Sequence, residues 1–434
     1  FFDDYSNSVV VGTSMRPLTD KLKIAREKLA YLIDSTAAPI AVIALFSTWI
    51  GYEVSQYDAA LRVVDPARAE EAYSIFLMTI PLRFYCIFTL AFVLVNVFTS
   101  RDYGPMLAAE RRSASTGKVI RDGARPLTST RFAKLTPAEG VTPRAFNAIF
   151  PLAVVVGVML LGFWFVGGGV IAFKVDGWGS FSLEGLGNIL GNDYTMHVAV
   201  VASAVGSLLA IGLALRAIPF PEALRAWSVG FSSLIVAILI LISAWALAQA
   251  CGDLRAGQYL VASVGSDLPL VVQPIVFFVL ACLIAFATGT SWGTMAILIP
   301  IAIPLAYYSE GLVPGDPLAG TITLLSFGAV LEGSIFGDHC SPISDTTVLS
   351  SVSAGSDHLD HVKTQIPYAM TTMGIALLIG YLPVGLGWYG PTVAIPLGII
   401  ACVVILLVVG KKLPEALPEA ESEPPASDPA EASA

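Results

Sequence analysis

Nine stretches of the chain, near residues 36–56, 75–98, 148–174, 196–218, 228–250, 268–287, 318–336, 366–388 and 391–410, are apolar over spans close to the length a helix needs to cross a bilayer, about 20 residues. In hydrocarbon every backbone N–H and C=O must be satisfied within the chain, so repeated runs of this length predict an all-α polytopic membrane protein. Composition agrees, with 13% charged residues where a soluble domain has about 25% and a mean hydropathy of +0.75. Apolar residues run all round these segments, so periodicity adds little. The expected setting is an integral, multi-pass cell (inner) membrane protein whose first partner is the lipid bilayer.

The chain begins Phe1-Phe2-Asp3-Asp4, with no Met and no basic segment leading into an apolar one. It is therefore expected to be the C-terminal portion of something longer. Residues 99–147 form the one long polar insertion, with nine Lys/Arg against Asp102, Glu110, Asp122 and Glu139, and the positive-inside tendency predicts a cytoplasmic linker. Lys411 and Lys412 then place the C-terminus on the same side. After them, residues 411–434 mix Glu415, Glu419, Glu421, Glu423, Asp428 and Glu431 with Pro, Ala and Ser, a composition that cannot bury a core and predicts disorder. The net charge of −9 owes much to the six carboxylates after Lys412, and no basic surface supports a nucleic-acid partner. The five cysteines lack Cys-x-x-Cys spacing, so neither a zinc site nor a disulfide framework is expected.

Two polar interruptions stand out. Thr288-Gly289-Thr290-Ser291-Trp292-Gly293-Thr294 separates two apolar arms, 268–287 and 295–308, as the tip of a hairpin would. Gly337-Asp338-His339-Cys340-Ser341-Pro342-Ile343-Ser344-Asp345-Thr346-Thr347 interrupts the next run with two carboxylates and a row of hydroxyls. A charged side chain near a bilayer centre costs roughly 2.5–3.5 kcal/mol, so Asp338 and Asp345 require a cation, a proton or a partner. Irregular backbone at that depth survives only against protein or a water-filled cavity. An internal echo, Asp20–Tyr31 against Asp357–Tyr368, sharpens the pattern. Interrupted helices in corresponding parts of two halves point to a secondary-transporter binding site.

The long motif from Gly337 to Ser351, followed by Asp357-His358-Leu359-Asp360-His361-Val362-Lys363-Thr364-Gln365, resembles the NhaC-type sodium/proton antiporter family of the wider ion-transporter superfamily. Phe2-Asp3-Asp4-Tyr5-Ser6-Asn7, Met15–Asp20 and Asp34-Ser35-Thr36-Ala37-Ala38-Pro39 are similar to that family's first-half motif. The resemblance covers residue 1 to about 410. It implies a two-repeat fold with re-entrant hairpins and unwound helices around a central site. Residues 1–98 would end a truncated first repeat, and 148–410 would form the second, with its hairpin at 268–308 and its broken helix at 318–350. Relatives of this type are linked to sodium/proton exchange, and some to organic-acid or amino-acid transport.

Sodium is a hard cation that takes oxygen ligands. Asp4, Asn7, Ser8, Thr288, Thr290, Ser291, Asp338, Ser341, Ser344, Asp345 and Thr346 supply them at the two breaks and at the N-terminal segment. A proton competes for the same carboxylate oxygens, and competition at one site suffices for antiport. Glu332 and His339 are the proton-relay candidates. No cofactor is expected, and no metal beyond the transported sodium ion; small cations, protons and a homo-oligomeric copy complete the expected partners. Against these roles stand plainer ones: Arg16, Arg26 or Lys363 pairing with the aspartates, hydroxyls that only cap or back-bond helix ends, a packed neutral His339, and a polar interfacial turn at His358 and His361. Arg83 either snorkels to the surface, anchors a carboxylate or holds an anionic substrate. The second transport reading is a sodium- or proton-coupled carrier of a small organic acid or amino acid. No phosphate-cradling Gly-x-x-x-x-Gly-Lys-Ser/Thr is present, so no ATP drive is expected. Gly289-Thr290-Ser291-Trp292-Gly293 fits Gly-x-Ser-x-Gly, but a hydrolase elbow needs a strand before the serine, and an apolar helical arm stands there instead.

Overall fold

A computed structural model describes residues 4–44, 47–126, 146–178, 195–216, 218–225, 228, 268–318 and 320–413. Nearly all of the run 228–250, the middle of the linker and the acidic tail lie outside the described residues. The rest is helical: α1 (Asp4–Lys21), α2 (Arg26–Ser35), α3 (Ala38–Ala41), α4 (Thr48–Val64), α5 (Ala72–Thr79), α6 (Phe84–Thr99), α7 (Gly104–Thr116), α8 (Phe146–Val166), α9 (Gly169–Asp176), α10 (Thr195–Ala214), α11 (Gln273–Thr288), α12 (Ser291–Ser309), α13 (Ile322–Cys340), α14 (Asp345–Ala354), α15 (His358–Ile375, extended through a π-helical turn to Gly385) and α16 (Pro391–Val408). Among these, four helices are long and apolar enough to cross a membrane, and six if each of two bent pairs is one crossing.

Helix ends follow local chemistry. Gly289, with φ +67°, closes α11, and Thr290 opens α12 by accepting the Gly293 N–H. Thr321 caps α13, Ser344 caps α14, Gly355 (φ +68°) ends α14, and Asp357 caps α15 through the N–H groups of Leu359 and Asp360. Each side-chain cap satisfies a donor that the first helical turn leaves open.

Four expectations change, the first being the run 148–174, which bends by 60° between Val166 and Gly169. The break predicted over 337–347 is shorter: Gly337, Asp338, His339 and Cys340 complete the last turn of α13, and only residues 341–344 are non-helical. Pro342 has no N–H to continue the ladder, and Ser344 starts a new helix. The run 36–56 is not one span. It divides into α3 and α4, with Ser47 capping α4 through the Ile50 N–H at 3.3 Å. The run 75–98 bends by 48° at Arg83, after a 3-10 turn containing Pro81.

Helix α13 is buried from end to end and lies at the centre. Gly333 and Gly337, spaced as Gly-x-x-x-Gly, let α11 approach closely; a Cβ at either would meet the carbonyl oxygen of Phe278 or Cys282. Around this post, α1 and α14 run parallel, with Tyr5 against Asp345, Ser8 against Ser350 and Gly12 against Ser353. Helix α2 runs antiparallel to α14 and α15, pairing Asp34 with Thr347 and Gln365, and Tyr31 edge-on with Tyr368 at 5.0 Å.

The described part of the basic linker is docked to the bundle. Arg101–Asp102 pairs antiparallel with Lys411–Lys412, which puts the linker's start and the end of α16 at one end of the molecule. Arg112 bonds Glu27 at 2.8 Å, and Glu110 accepts the Ala25 N–H at 2.8 Å ahead of α2. Burial pushes the Glu110 carboxyl up to about 7, against the pull of Lys28 and of that N–H. Because the folded value is the higher one, the stabilisation is fully present below the ordinary value of 4.5 and is lost as pH rises through about 7. Glu110→Gln should flatten the pH dependence of thermal unfolding in that window; an unchanged slope would assign it to another group.

Candidate functional site

Four carboxylates converge where the break after α13 meets the start of α1 and the end of α2. Asp345 is the first residue of α14, so its carboxylate lies at the positive end of that helix's dipole, and the parallel α1 brings Asp4 to the same end. Asp345 accepts the Tyr5 hydroxyl at 2.8 Å and the Thr346 N–H at 2.7 Å. Asp34, in the last turn of α2, accepts Gln365 Nε2 at 2.7 Å and Thr347 Oγ1 at 3.0 Å on the same oxygen, Oδ2.

Asp338 is placed differently. It lies in the last turn of α13, where the dipole is negative and disfavours an anion. Its Oδ2 receives a long bond from Thr346 Oγ1, at 3.4 Å, the Ser344 hydroxyl also acts on the carboxylate, and its buried Oδ1 has no hydrogen-bond partner among the described residues. Asp345, Asp34 and Asp4 are near enough for their charges to act on it. Among the described residues no Lys or Arg forms an ion pair with Asp338 or Asp345. Arg26 is committed to Asp20 at 3.0 Å and to the Gly355 carbonyl at 3.1 Å. Pairing with Arg26, Arg16 or Lys363 therefore does not account for these aspartates. Buried carboxylates without basic partners call for a small positive species.

The two polar interruptions touch, as expected. Ser341 Oγ donates to the Phe286 carbonyl at 2.8 Å, and a Cβ on Gly289 would come within 2.7 Å of Ile343 O. The individual hydroxyls are largely committed to helix ends. Thr288 back-bonds Ile284 O, Thr290 caps α12, Ser344 caps α14, and Asn7 donates to Thr36 O at 3.2 Å. Ser291 and Ser8 are buried beside them, Ser8 within 3.4 Å of Ser350. A hydroxyl whose hydrogen is committed keeps lone pairs for a cation, and Thr346 and Thr347 are so placed beside Asp338 and Asp34.

Residues 40–386 match the Na+/H+ antiporter family. The chain belongs to that family. An uncharacterized protein of Haemophilus influenzae is 34% identical over 90% of the chain and 70% of its own length. The malate-2H(+)/Na(+)-lactate antiporter of Bacillus subtilis is 34% identical over 35% of the chain and 31% of its own. An uncharacterized Na(+)/H(+) antiporter of Haemophilus influenzae is 32% identical over 27% of the chain and 23% of its own. No solved structure matches the chain. The antiporter is thus a secondary transporter and not an enzyme. The Gly-x-Ser-x-Gly match is a joint between two helices, with Ser291 the first residue of α12 and no strand before it.

The remaining polar candidates of this antiporter resolve into other contacts. His339 has both ring nitrogens engaged, Nδ1 with Tyr85 Oη at 2.6 Å and Nε2 with Ser35 Oγ at 3.1 Å. Glu332 accepts the Cys86 N–H at 2.7 Å on one oxygen, a donor that the bend at Arg83 leaves open at the start of α6, while its buried Oε1 has no hydrogen-bond partner among the described residues. Arg83 does not snorkel: it is fully buried, bonds Glu53 at 2.8 Å and Thr79 Oγ1 at 3.0 Å, and lies over the Phe76 ring. The carboxylate-anchoring role is the one it fills. Reasoning from sequence missed Asp34, Tyr5, Thr347 and Gln365 as parts of the site. For Asp34 the signal was present, a carboxylate just before a Ser-Thr-x-x-Pro interruption, the same logic that singled out Asp338.

Proposed function

We propose that the chain exchanges sodium, or another monovalent cation, for protons at the carboxylate cluster of Asp338, Asp345, Asp34 and Asp4, with Thr346 and Thr347 completing the oxygen set. The observation that carries this reading is the unpartnered, buried Oδ1 of Asp338 at the negative end of α13. A cation bound there offsets the negative charge of Asp338, and so does a proton on that carboxylate. Either loaded form can move between the two faces of the membrane, whereas the empty site carries naked charge and is held in place. Cation and proton cannot share the oxygen, so exchange follows without a second site. The linker and the C-terminal end of α16 face the cytoplasm in this proposal, in line with the nine basic residues of 99–147.

Two names among the relatives, the malate-2H(+)/Na(+)-lactate antiporter and an arginine/ornithine antiporter of Halobacterium salinarum, favour an organic solute as a second reading. With Arg83 enclosed by Glu53 and Thr79, the cationic holder first considered for such a solute is already occupied. A flux assay in vesicles separates the two readings. Sodium or lithium alone should dissipate an imposed pH gradient, with an apparent sodium affinity that weakens as pH falls. Dissipation that needs malate, lactate or an amino acid would favour the carrier, and a pH-independent sodium affinity would mean separate sites.

A further inference from the structure

A second group of buried polar side chains lies further along α13 from the carboxylate cluster. Glu53 and Tyr57 are one turn apart on α4, Arg83 and Cys86 stand at the bend that opens α6, and Glu332 is in the middle of α13. Three contacts hold these helices together. Arg83 Nη2 donates to Glu53 Oε2 at 2.8 Å, the Cys86 N–H donates to Glu332 Oε2 at 2.7 Å, and the ring centroids of Tyr57 and Phe327 are 4.4 Å apart. Glu53, Tyr57, Arg83 and Glu332 are all fully buried, and the charge of Arg83 acts on the other three. Glu332 precedes Asp338 by six residues, about 9 Å along the helix and on a different face, so the two groups are separate.

Five polar atoms of these four residues have no hydrogen-bond partner among the described residues: Glu53 Oε1, Tyr57 Oη, Arg83 Nε, Arg83 Nη1 and Glu332 Oε1. They are five of the thirteen such buried side-chain atoms, so the shortfall is concentrated here and not spread through the bundle. The guanidinium N–H groups only donate, and ionised carboxylate oxygens only accept. A ligand that satisfies both must donate and accept at once, as water does. A metal ion would meet the repulsion of Arg83, and an anion that of the two carboxylates. Two carboxylates also face one guanidinium. Glu53 forms the ion pair, and among the described residues no Lys or Arg forms one with Glu332. The excess negative charge therefore falls on Glu332, buried without a basic partner of its own, which is the costly arrangement.

We propose that Glu53, Tyr57, Arg83 and Glu332 form a second loading site, which takes a proton on Glu332 together with water and which sodium does not enter. Oε2 keeps the Cys86 N–H, so the proton goes to Oε1. An O–H bond forms there as one breaks in a hydronium ion, which leaves as water. The group is then neutral as a whole, with one anion, Glu53, against one cation, Arg83. The titratable and charged groups that face Glu332 are Glu53 and Tyr57 from α4, Arg83 and Cys86 from the start of α6, and Tyr381 from the π-helical turn of α15, whose hydroxyl donates to the Leu82 carbonyl at 3.1 Å. None of them belongs to the carboxylate cluster, so sodium and this proton do not compete. The site goes beyond the exchange reading, in which cation and proton share the oxygens around Asp338.

Infrared spectroscopy of the full chain in lipid vesicles reads the proton as a carboxylic-acid C=O band that shifts in D2O. At neutral pH one such band should persist under saturating sodium and in Asp338→Asn, and should vanish in Glu332→Gln. Glutamine keeps the oxygen that accepts the Cys86 N–H and replaces one neutral group by another, so this variant should unfold at the wild-type midpoint. Glu53→Gln should remove the band as well, because Arg83 then lacks its carboxylate and Glu332 ionises to balance it. Tyr57→Phe, which takes away a hydroxyl facing the water, should shift the band without removing it. A band that sodium abolishes, that Glu332→Gln or Glu53→Gln leaves in place, or that Tyr57→Phe does not move would overturn the proposal. Sodium-driven flux in a protein without the band would sink the second site alone, whereas the band without flux would sink the exchange reading alone.

Discussion

Asp338→Asn should abolish cation/proton exchange, by a factor of about 100 or more, while leaving insertion and folding intact. The magnitude follows from the charge: roughly 3 kcal/mol for an uncompensated carboxylate at membrane depth corresponds to about two decades in affinity. Asparagine keeps the shape and still accepts from Thr346, but it neither binds a proton in the working range nor offers an anionic oxygen. Removing an anion from the negative end of α13 should also leave the folded protein as stable as before, or more so. Asp345→Asn is expected to lose exchange as well, although it can keep the Tyr5 bond. The measurement is sodium-driven proton flux in vesicles alongside thermal unfolding in detergent. Wild-type flux in both variants would remove this cluster from the mechanism.

The largest effect on stability should come from Arg83. Its guanidinium is fully buried and bonded to Glu53, and its charge also acts on Glu332. Removing one member of a buried pair leaves an uncompensated charge and costs about 3–5 kcal/mol. Arg83→Met should therefore lower the unfolding midpoint sharply. Arg83→Met combined with Glu53→Gln should recover much of the loss, because the second change removes the stranded charge. Arg83→Lys should rescue incompletely, since an ammonium lacks the planar guanidinium that both bonds Glu53 and lies over Phe76. Unfolding of Arg83→Met at the wild-type midpoint would show that the pair contributes nothing. The same change leaves the Asp338 cluster untouched, so residual folded protein should still exchange cations.

The membrane architecture was legible because hydrocarbon imposes one rule on every segment, and that rule is written in run length. The joints at Gly289-Thr290 and Ser341–Ser344 were legible because glycine, proline and capping hydroxyls are local punctuation. The bend at Arg83 was missed although Pro81 signals it, since a proline early in an apolar run is also a common helix start. The extent of the second break was overcalled because polar residues were equated with irregular backbone. Asp338 and His339 are polar and yet helical, their side chains turned into the bundle and not into a gap.

Sequence alone determined that the chain spans a membrane, that it breaks at two polar points and that carboxylates at one of them need a positive companion. These follow from residue type and from distance along the chain. Tertiary structure decided which carboxylates meet. It brought Asp34 and Tyr5 beside residues more than 300 positions away, committed Arg26 and Arg83 elsewhere, and left one oxygen of Asp338 unpartnered. Charge balance and hydrogen-bond satisfaction are properties of neighbours in space, and those neighbours exist only after α1, α2, α14 and α15 have packed around α13.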